Sequence, residues 1–339
     1  MYKKVLSKIT THQEMTGEDI SALIAAINSG EVSDVQIAGF QVALLMKGAT
    51  KDELAHFAKA MRENCVPLRP KVSGELMDTC GTGGGLSTFN ISTATAIVAA
   101  AGGIPIAKHG SRSLASLSGS ADVLEALGVN IKLMPEQVEK MIEEIGIAFL
   151  YAPLFHPVMS KVLPTESDLG IKTIFYTIIG PLINPAYAPR HLLGVYKPEL
   201  LDTVTYVAKE IGYTNAMFVH GLDGLDEISL LGKTRINYLR NGEVTTFEIQ
   251  PENFGLERCK LGDIKSSTPE DNAAVIKGVF DGKITNSNKD AIVLNAAGAL
   301  IVGGKVDDFK QGVELAQSII ESGDAKRKLN ELREMSNAF

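Results

Sequence analysis

From residue 76 onward, short apolar runs alternate with helical stretches, and this alternation narrows the folding options more than any other feature. The runs "IPIAK" (104–108), "IAFLYA" (147–152) and "NAMFVH" (215–220) have the length and composition of strands. Between them lie "STATAIVAAAG", "SADVLEALG", "PEQVEKMIEEIG" and "PELLDTVTYVAKEIG", with apolar residues at helical spacing. Strand–helix–strand units are crossover connections. The pattern therefore predicts a mainly parallel central sheet with helices on both faces. "TRINYLRNGEVTTFEIQP" (234–251) differs: two alternating runs flank Asn241-Gly242, a hairpin signal. The C-terminal part is helical again, and neither repeats nor low-complexity tracts occur.

Residues 1–62 read as helices whose starts are marked by capping residues. Thr16 precedes Glu18-Asp19, Ser33 precedes Asp34 and Thr50 precedes Asp52-Glu53, while Gly30 and Gly48 stand where helices stop. The two prolines of "VPLRPKVSG" (66–74) end this region and mark a boundary. The expected class is α/β, a small helical part preceding a larger α/β part.

The 339 residues, 45% of them apolar and 22% charged, are ample for a large core. No uninterrupted apolar run reaches about 18 residues, and the N-terminus lacks an apolar signal region, so neither a membrane span nor secretion is expected. Cys65, Cys80 and Cys259 are widely spaced with no C-x-x-C pair, which fits a reduced, cytoplasmic chain. A net charge of −7 argues against a nucleic-acid partner. An acidic chain that binds an anion must concentrate its positive charge locally.

Three stretches carry chemistry. "DTCGTGGGLSTFNIST" (78–93) places a glycine turn between a strand and a helix that starts near Ser92-Thr93. Turn and helix-start N–H groups, joined by Thr88, Asn90, Ser92 and Thr93, suit an anion. It is neither a P-loop nor G-x-G-x-x-G. Taken alone, this run reads equally well as a tight turn packing helix on strand. In "KHGSRSLASLSGS" (108–120), Lys108, His109 and Arg112 stand among serines directly after a strand, which favours a phosphate over a merely solvated loop. In "VHGLDGLDEIS" (219–229), Asp223, Asp226 and Glu227 crowd a strand end, where carboxylates hold Mg²⁺ together with substrate phosphates; an acidic surface turn is the plain alternative. No Cys/His or Ser/His/Asp nucleophile arrangement is present. Together the stretches describe a site for a pyrophosphorylated substrate with Mg²⁺.

These same residues resemble the anthranilate phosphoribosyltransferases and, more distantly, pyrimidine nucleoside phosphorylases. The likeness spans nearly the whole chain through "SGEVSDVQIAGFQVALLMKGAT", "GTGGG…TFNIST", "AKHGSRS…SGSADVLEALGV", "HPVM", "LGIKTIF…GPLINP", "DGLDEIS" and "NKDAIVLNAAGALIVGG". It implies a small helical, dimer-forming domain (1–68 with 167–190) and a larger α/β domain (72–166 with 191–339) with a mainly parallel sheet. It implies a homodimer, two Mg²⁺ ions, and transfer of phosphoribose from 5-phosphoribosyl 1-diphosphate to an aromatic amine. Carried onto this sequence, Gly81, Thr82, Gly83, Gly84, Thr88, Asn90, Ser92 and Thr93 would hold the phosphoribosyl diphosphate. Lys108, His109, Gly110, Arg112 and Ser116 would embrace its phosphates, and Ser92, Asp226 and Glu227 the metal. The acceptor would meet Gly81, Ser111, His156, Glu166, Lys172 and Pro181.

Four departures from the family pattern stand out. Gly85 replaces the Asp of "GTGGD", in a loop one residue shorter. Ser111 replaces the Asn of "KHGN". "TESDLG" stands for "VRKELG", so Glu166 takes the place of the arginine that meets the acceptor's carboxylate. "RTIFN…GPL" becomes Lys172 and Tyr176 with one extra residue before Gly180. A charge reversal at Glu166 disfavours a carboxylate-bearing acceptor there, with Lys172, Arg190 or His156 as substitutes. The leading expectation is an Mg²⁺-dependent phosphoribosyltransferase with anthranilate as acceptor. Its rivals are a paralogue using another acceptor, a nucleoside phosphorylase and a non-catalytic binding protein.

Overall fold

The structure, a computed structural model, describes residues 1–113, 117–265 and 267–339. The chain opens with α1 (Tyr2–Thr10), α2 (Gly17–Ser29), α3 (Asp34–Lys47) and α4 (Lys51–Glu63). Thr16, Ser33 and Thr50 each accept from the N–H three residues on. The side chains of Asp19, Gln36 and Glu53 accept from the caps in return. Gly30, left-handed at φ 85°, closes α2.

A seven-stranded sheet follows, in the order β3-β2-β1-β4-β5-β6-β7. The strands β1 (Met77–Asp78), β2 (Ile106–Gly110), β3 (Ile147–Tyr151), β4 (Arg190–Gly194) and β5 (Asn215–Gly221) are parallel. β6 (Thr234–Arg240) and β7 (Glu243–Ile249) add an antiparallel hairpin at one edge. The strand expected before the glycine turn is short and ends at Asp78. Beyond Asp78 the Thr79 N–H turns to the Asp78 carboxylate at 2.7 Å. The crossovers carry α5 (Ile91–Ala101), α6 (Ser120–Ala126), α7 (Pro135–Ile145), the short α8 (Ala152–Phe155), α9 (Met159–Leu169), a π-helix (Phe175–Ile179), the short α10 (Gly180–Leu182) and α11 (Leu201–Glu210). The chain ends in α12 (Pro269–Phe280), α13 (Ser287–Val302), α14 (Phe309–Glu321) and α15 (Asp324–Ser336).

Two cores lie on opposite faces of the sheet, and strand alternation divides them. Leu192, Met217 and Val219 join the larger core with α5 and α13. Their neighbours Leu193, Ala216 and Phe218 join the core of the N-terminal helices. In that second core Phe40, Phe57 and Phe175 meet with ring centroids 5.6–6.2 Å apart, and Val158 and Val162 of the α9 region pack among them. Among the described residues no helix is long and apolar enough to cross a membrane.

Candidate functional site

In an open parallel sheet, ligands gather beyond the strands' carboxyl ends where strand order reverses. Here that point lies between β1 and β4, and a cleft of about 560 Å³ opens there. Its wall combines the turn after β1, the loop after β2, the loop after β5, and the α9-to-α10 segment.

The glycine turn is tied down at both ends. Thr82 N–H donates to the Gly194 carbonyl at 2.9 Å, and the Thr82 hydroxyl accepts from Tyr196 N–H at 3.0 Å. Gly83 and Gly84 have φ of 62° and 93°, a conformation that L side chains resist. Gly85 is pressed so close that a Cβ there would stand 2.7 Å from Asp226 Oδ1. The family's aspartate has no room in this shorter loop. Helix α5 begins with no side-chain cap at Asn90; its first N–H groups bond to the Phe89 and Asn90 carbonyls, and the Ser92 N–H is set toward Glu227. Asn90 instead knots the loop together: its side chain meets Ser118 at 3.0 Å and Asn272 at 3.0 Å.

Asp226 and Glu227 line the cleft, walled by protein, and neither makes an ion pair among the described residues. Burial pushes the Asp226 carboxyl up. Burial and the neighbouring Asp226 push Glu227 up to about 8, against the pull of Lys108 and the Ser92 N–H. Beneath them a cavity of about 10 Å³ is bounded by Ser92, Thr95, Asp226 and Glu227. The buried Thr95 hydroxyl there has no hydrogen-bond partner. Two carboxylates without an ion-pair partner among the described residues and an orphan hydroxyl are a hard-oxygen donor set, which fits Mg²⁺.

Lys108 is 3% exposed and its ammonium reaches the Thr79 carbonyl at 3.5 Å, inside the cleft wall. Arg112 also lines the cleft, but Asp122 and Glu125 hold its guanidinium at 2.7 and 2.6 Å. His109 and His156 meet Nε2 to Nε2 at 3.1 Å. Under them lies Asp78, fully buried, which accepts from His109 N–H at 3.1 Å and Asn184 at 2.7 Å. Asp78 and Asn184 fix the site from behind. Only the position of Asp78, immediately before the glycine turn, hints at this in the sequence.

Of the expected residues, Gly81, Thr82, Gly83, Asn90, Ser92, Lys108, His109, Gly110, Ser111, Arg112, His156, Pro181, Asp226 and Glu227 line this one cleft. Gly84, Thr88 and Thr93 do not: Gly84 packs toward Tyr196, and Thr88 pairs with Lys265. Ser116 falls outside the described residues. The placement of Glu166 in the acceptor site is corrected. α9 turns Leu163, Pro164 and Ser167 to the cleft and Glu166 into the helical core. There the Glu166 carboxylate accepts from Thr173 and, at 3.5 Å, from Gln41. Lys172 likewise leaves the wall and lies over the Tyr176 ring, 5.1 Å from its centroid. Sequence reasoning missed the apolar wall of Met159, Leu163 and Ile183, as well as the exposure of Tyr176 to the cleft.

Residues 3–65 match the model of the glycosyl transferase family, helical bundle domain, and residues 73–326 that of the glycosyl transferase family, a/b domain. Such a two-part transferase is what the helices, the sheet and the cleft define. The anthranilate phosphoribosyltransferase of Acetivibrio thermocellus is 45% identical over 340 residues, covering 100% of this chain and 98% of its own. The crystal structure of the anthranilate phosphoribosyltransferase of Thermus thermophilus superposes with a TM-score of 0.91 at 38% identity, covering 98% of this chain and 99% of its own. The Saccharomyces cerevisiae anthranilate phosphoribosyltransferase in complex with PRPP and Mg gives 0.91 at 29% identity, covering 100% and 98%. The chain belongs to the anthranilate phosphoribosyltransferase family.

Proposed function

We propose that this protein is an Mg²⁺-dependent pentosyltransferase of tryptophan biosynthesis. It joins the amine of anthranilate to C1 of 5-phosphoribosyl 1-diphosphate and releases diphosphate. The observation that carries this reading is the Asp226–Glu227 pair, without an ion-pair partner among the described residues, sharing one cleft with the glycine turn, the α5 start and Lys108. Carboxylates, a glycine turn and a buried ammonium in one cleft call for a polyanion together with a cation.

Breaking the C1–diphosphate bond builds positive charge on the ribose and negative charge on the leaving group. The chain's task is to neutralise the latter and align the amine. Lys108, the turn N–H groups and the α5 start hold phosphate oxygens. Ser92, Asp226 and Glu227 would hold Mg²⁺, two ions by the family's pattern, and the metal would supply Lewis-acid neutralisation of the diphosphate. Met159, Leu163, Pro164 and Pro181 form the apolar wall for the acceptor ring, with Ser111 and His156 as polar contacts. The inward turn of Glu166 removes the like charge that would have opposed a carboxylate. The helical unit carries the dimer contact, and three free cysteines suit the cytoplasm.

Incubation with phosphoribosyl diphosphate, Mg²⁺ and anthranilate is expected to give coupled loss of anthranilate fluorescence and release of diphosphate. Asp226→Asn and Glu227→Gln should each lower turnover by roughly 100-fold or more. Diphosphate release without loss of anthranilate, but with another amine, would reassign the acceptor. Turnover indifferent to both substitutions would reject the metal assignment.

A further inference from the structure

The segment between α9 and α10 contains five residues of π-helix, Phe175–Ile179, with helical backbone at Ile174 before it and Gly180 after it. A π-turn is the usual way a helix absorbs one extra residue while its flanks keep their places. The residue that the family resemblance counts as extra before Gly180 falls at this point of the chain. Both flanks are anchored. Phe175 is locked between Phe40 and Phe57, and Thr173 is bonded to the buried Glu166. Pro181 lies back on the cleft wall. With Phe175 committed to the helical core, the residue after it is turned into the cleft.

That residue is Tyr176. Its hydroxyl has no hydrogen-bond partner among the described residues, and it stands 3.9 Å from where a Cβ on Gly83 would be. The Gly83 N–H in turn is set toward the Asp226 carboxylate and pulls its pKa down against burial. The phenol therefore crosses from the acceptor side of the cleft to the glycine turn and the acidic pair. The Lys172 ammonium over the ring steadies it and brings a cation to the same corner. An unpaired donor aimed at a glycine turn and a metal-binding carboxylate lies where the leaving group must sit.

Resting on the reading above, we propose that Tyr176 is a binding residue for the diphosphate of phosphoribosyl diphosphate. Its hydroxyl donates to a phosphate oxygen, and its ring is held by Lys172. The residue comes from the acceptor side of the cleft but selects for the donor substrate. A single hydrogen bond to a charged group sets the expected size of the effect.

The test uses Tyr176→Phe, which keeps the ring and its contact with Lys172. Kcat/KM for phosphoribosyl diphosphate should fall about tenfold. The KM for anthranilate and the melting temperature should stay at their wild-type values. Calorimetric titration of the protein with phosphoribosyl diphosphate and Mg²⁺, without acceptor, should show the same loss of affinity. Lys172→Met should shift the same parameter in the same direction by less. An unchanged affinity in Tyr176→Phe, or a rise confined to the anthranilate KM, overturns the assignment while leaving the reaction standing. Wild-type protein that fails to bind phosphoribosyl diphosphate overturns both.

Discussion

At the residue scale, the contact between His109 and His156 constrains proton inventory. Two ring nitrogens 3.1 Å apart share one proton, one ring donating its Nε2–H and the other accepting on the Nε2 lone pair, so at most one of the two rings is charged. Burial first, then the partner histidine, pulls His109 down to about 3; burial and Arg62 bring His156 to about 3. Burial lowers His191 as well. In the unfolded chain these rings take up protons near their ordinary 6.5. Between 6.5 and about 3 the unfolded state thus binds more protons, and stability falls as pH falls through that window. The slope is up to about 1.4 kcal/mol per pH unit for each ring. Asp19, held low by Lys8 and Lys4, adds a loss that begins only near the ordinary aspartate value of 3.8. Urea unfolding measured from about pH 7 to pH 4 should therefore show a steep decline above the carboxylate range. The double variant His109→Asn/His156→Asn should flatten it, even though that protein is weaker at neutral pH. An unflattened slope would assign the acid loss to other groups.

At the element scale, α9 and the π-helix are joined through Glu166. Gln41 of α3 donates to the Val162 carbonyl at 3.0 Å, and Thr165 donates to Gln41 at 2.6 Å. Glu166 closes this buried network by accepting from Thr173, and burial raises its pKa. Glu166→Ala leaves the Thr173 hydroxyl without an acceptor, at a cost of about 1–3 kcal/mol. Glu166→Gln keeps an acceptor without a charge and should stay near wild-type stability. Both variants should leave the anthranilate KM in place, and chemical denaturation alongside steady-state kinetics checks this. A changed KM with unchanged stability would return Glu166 to the acceptor site. The contrast shows what a sequence makes legible. The caps at Thr16, Ser33 and Thr50 and the turn at Asn241-Gly242 are readable because local chemistry alone decides them. Asn241 and Gly242 indeed take φ of 51° and 84°, as a tight hairpin requires. The glycine turn, Lys108 and Asp226–Glu227 are readable for the same reason, since residue type and strand end suffice. β4 was not anticipated: "RHLLG" lacks alternation, because both its faces are buried between β1 and β5. Nor does the sequence reveal which way Glu166 turns or that Phe175–Ile179 widens to a π-turn. Distant partners, Gln41 in one case and Phe40 with Phe57 in the other, decide those outcomes.

At the scale of the whole molecule, α3 packs one face on the helical core through Ile37, Phe40 and Leu44 and leaves the other to solvent. Val35, Val42 and Met46 fall at successive spacings of seven and four residues, hence on one stripe, and are 83%, 41% and 78% exposed; Leu45 at 49% widens it. Exposed aliphatic side chains aligned along a helix are the mark of a surface that is covered in use. The cleft lies at the sheet's carboxyl edge, and none of Val35, Val42, Leu45 and Met46 lines it. Association through α3 would therefore leave every lining residue in place. Light scattering on the eluting protein should give twice the 36.3 kDa chain mass. Val42→Glu together with Met46→Glu places two charges on the stripe, and burying them unpaired costs several kcal/mol per interface, enough to yield monomer at micromolar concentration. Since neither side chain reaches the cleft, the monomer should keep the fold by circular dichroism and retain turnover. A variant that remains dimeric would move the contact off α3. A folded monomer without activity would mean that the helical unit needs its partner to hold α9 and the π-helix against the cleft.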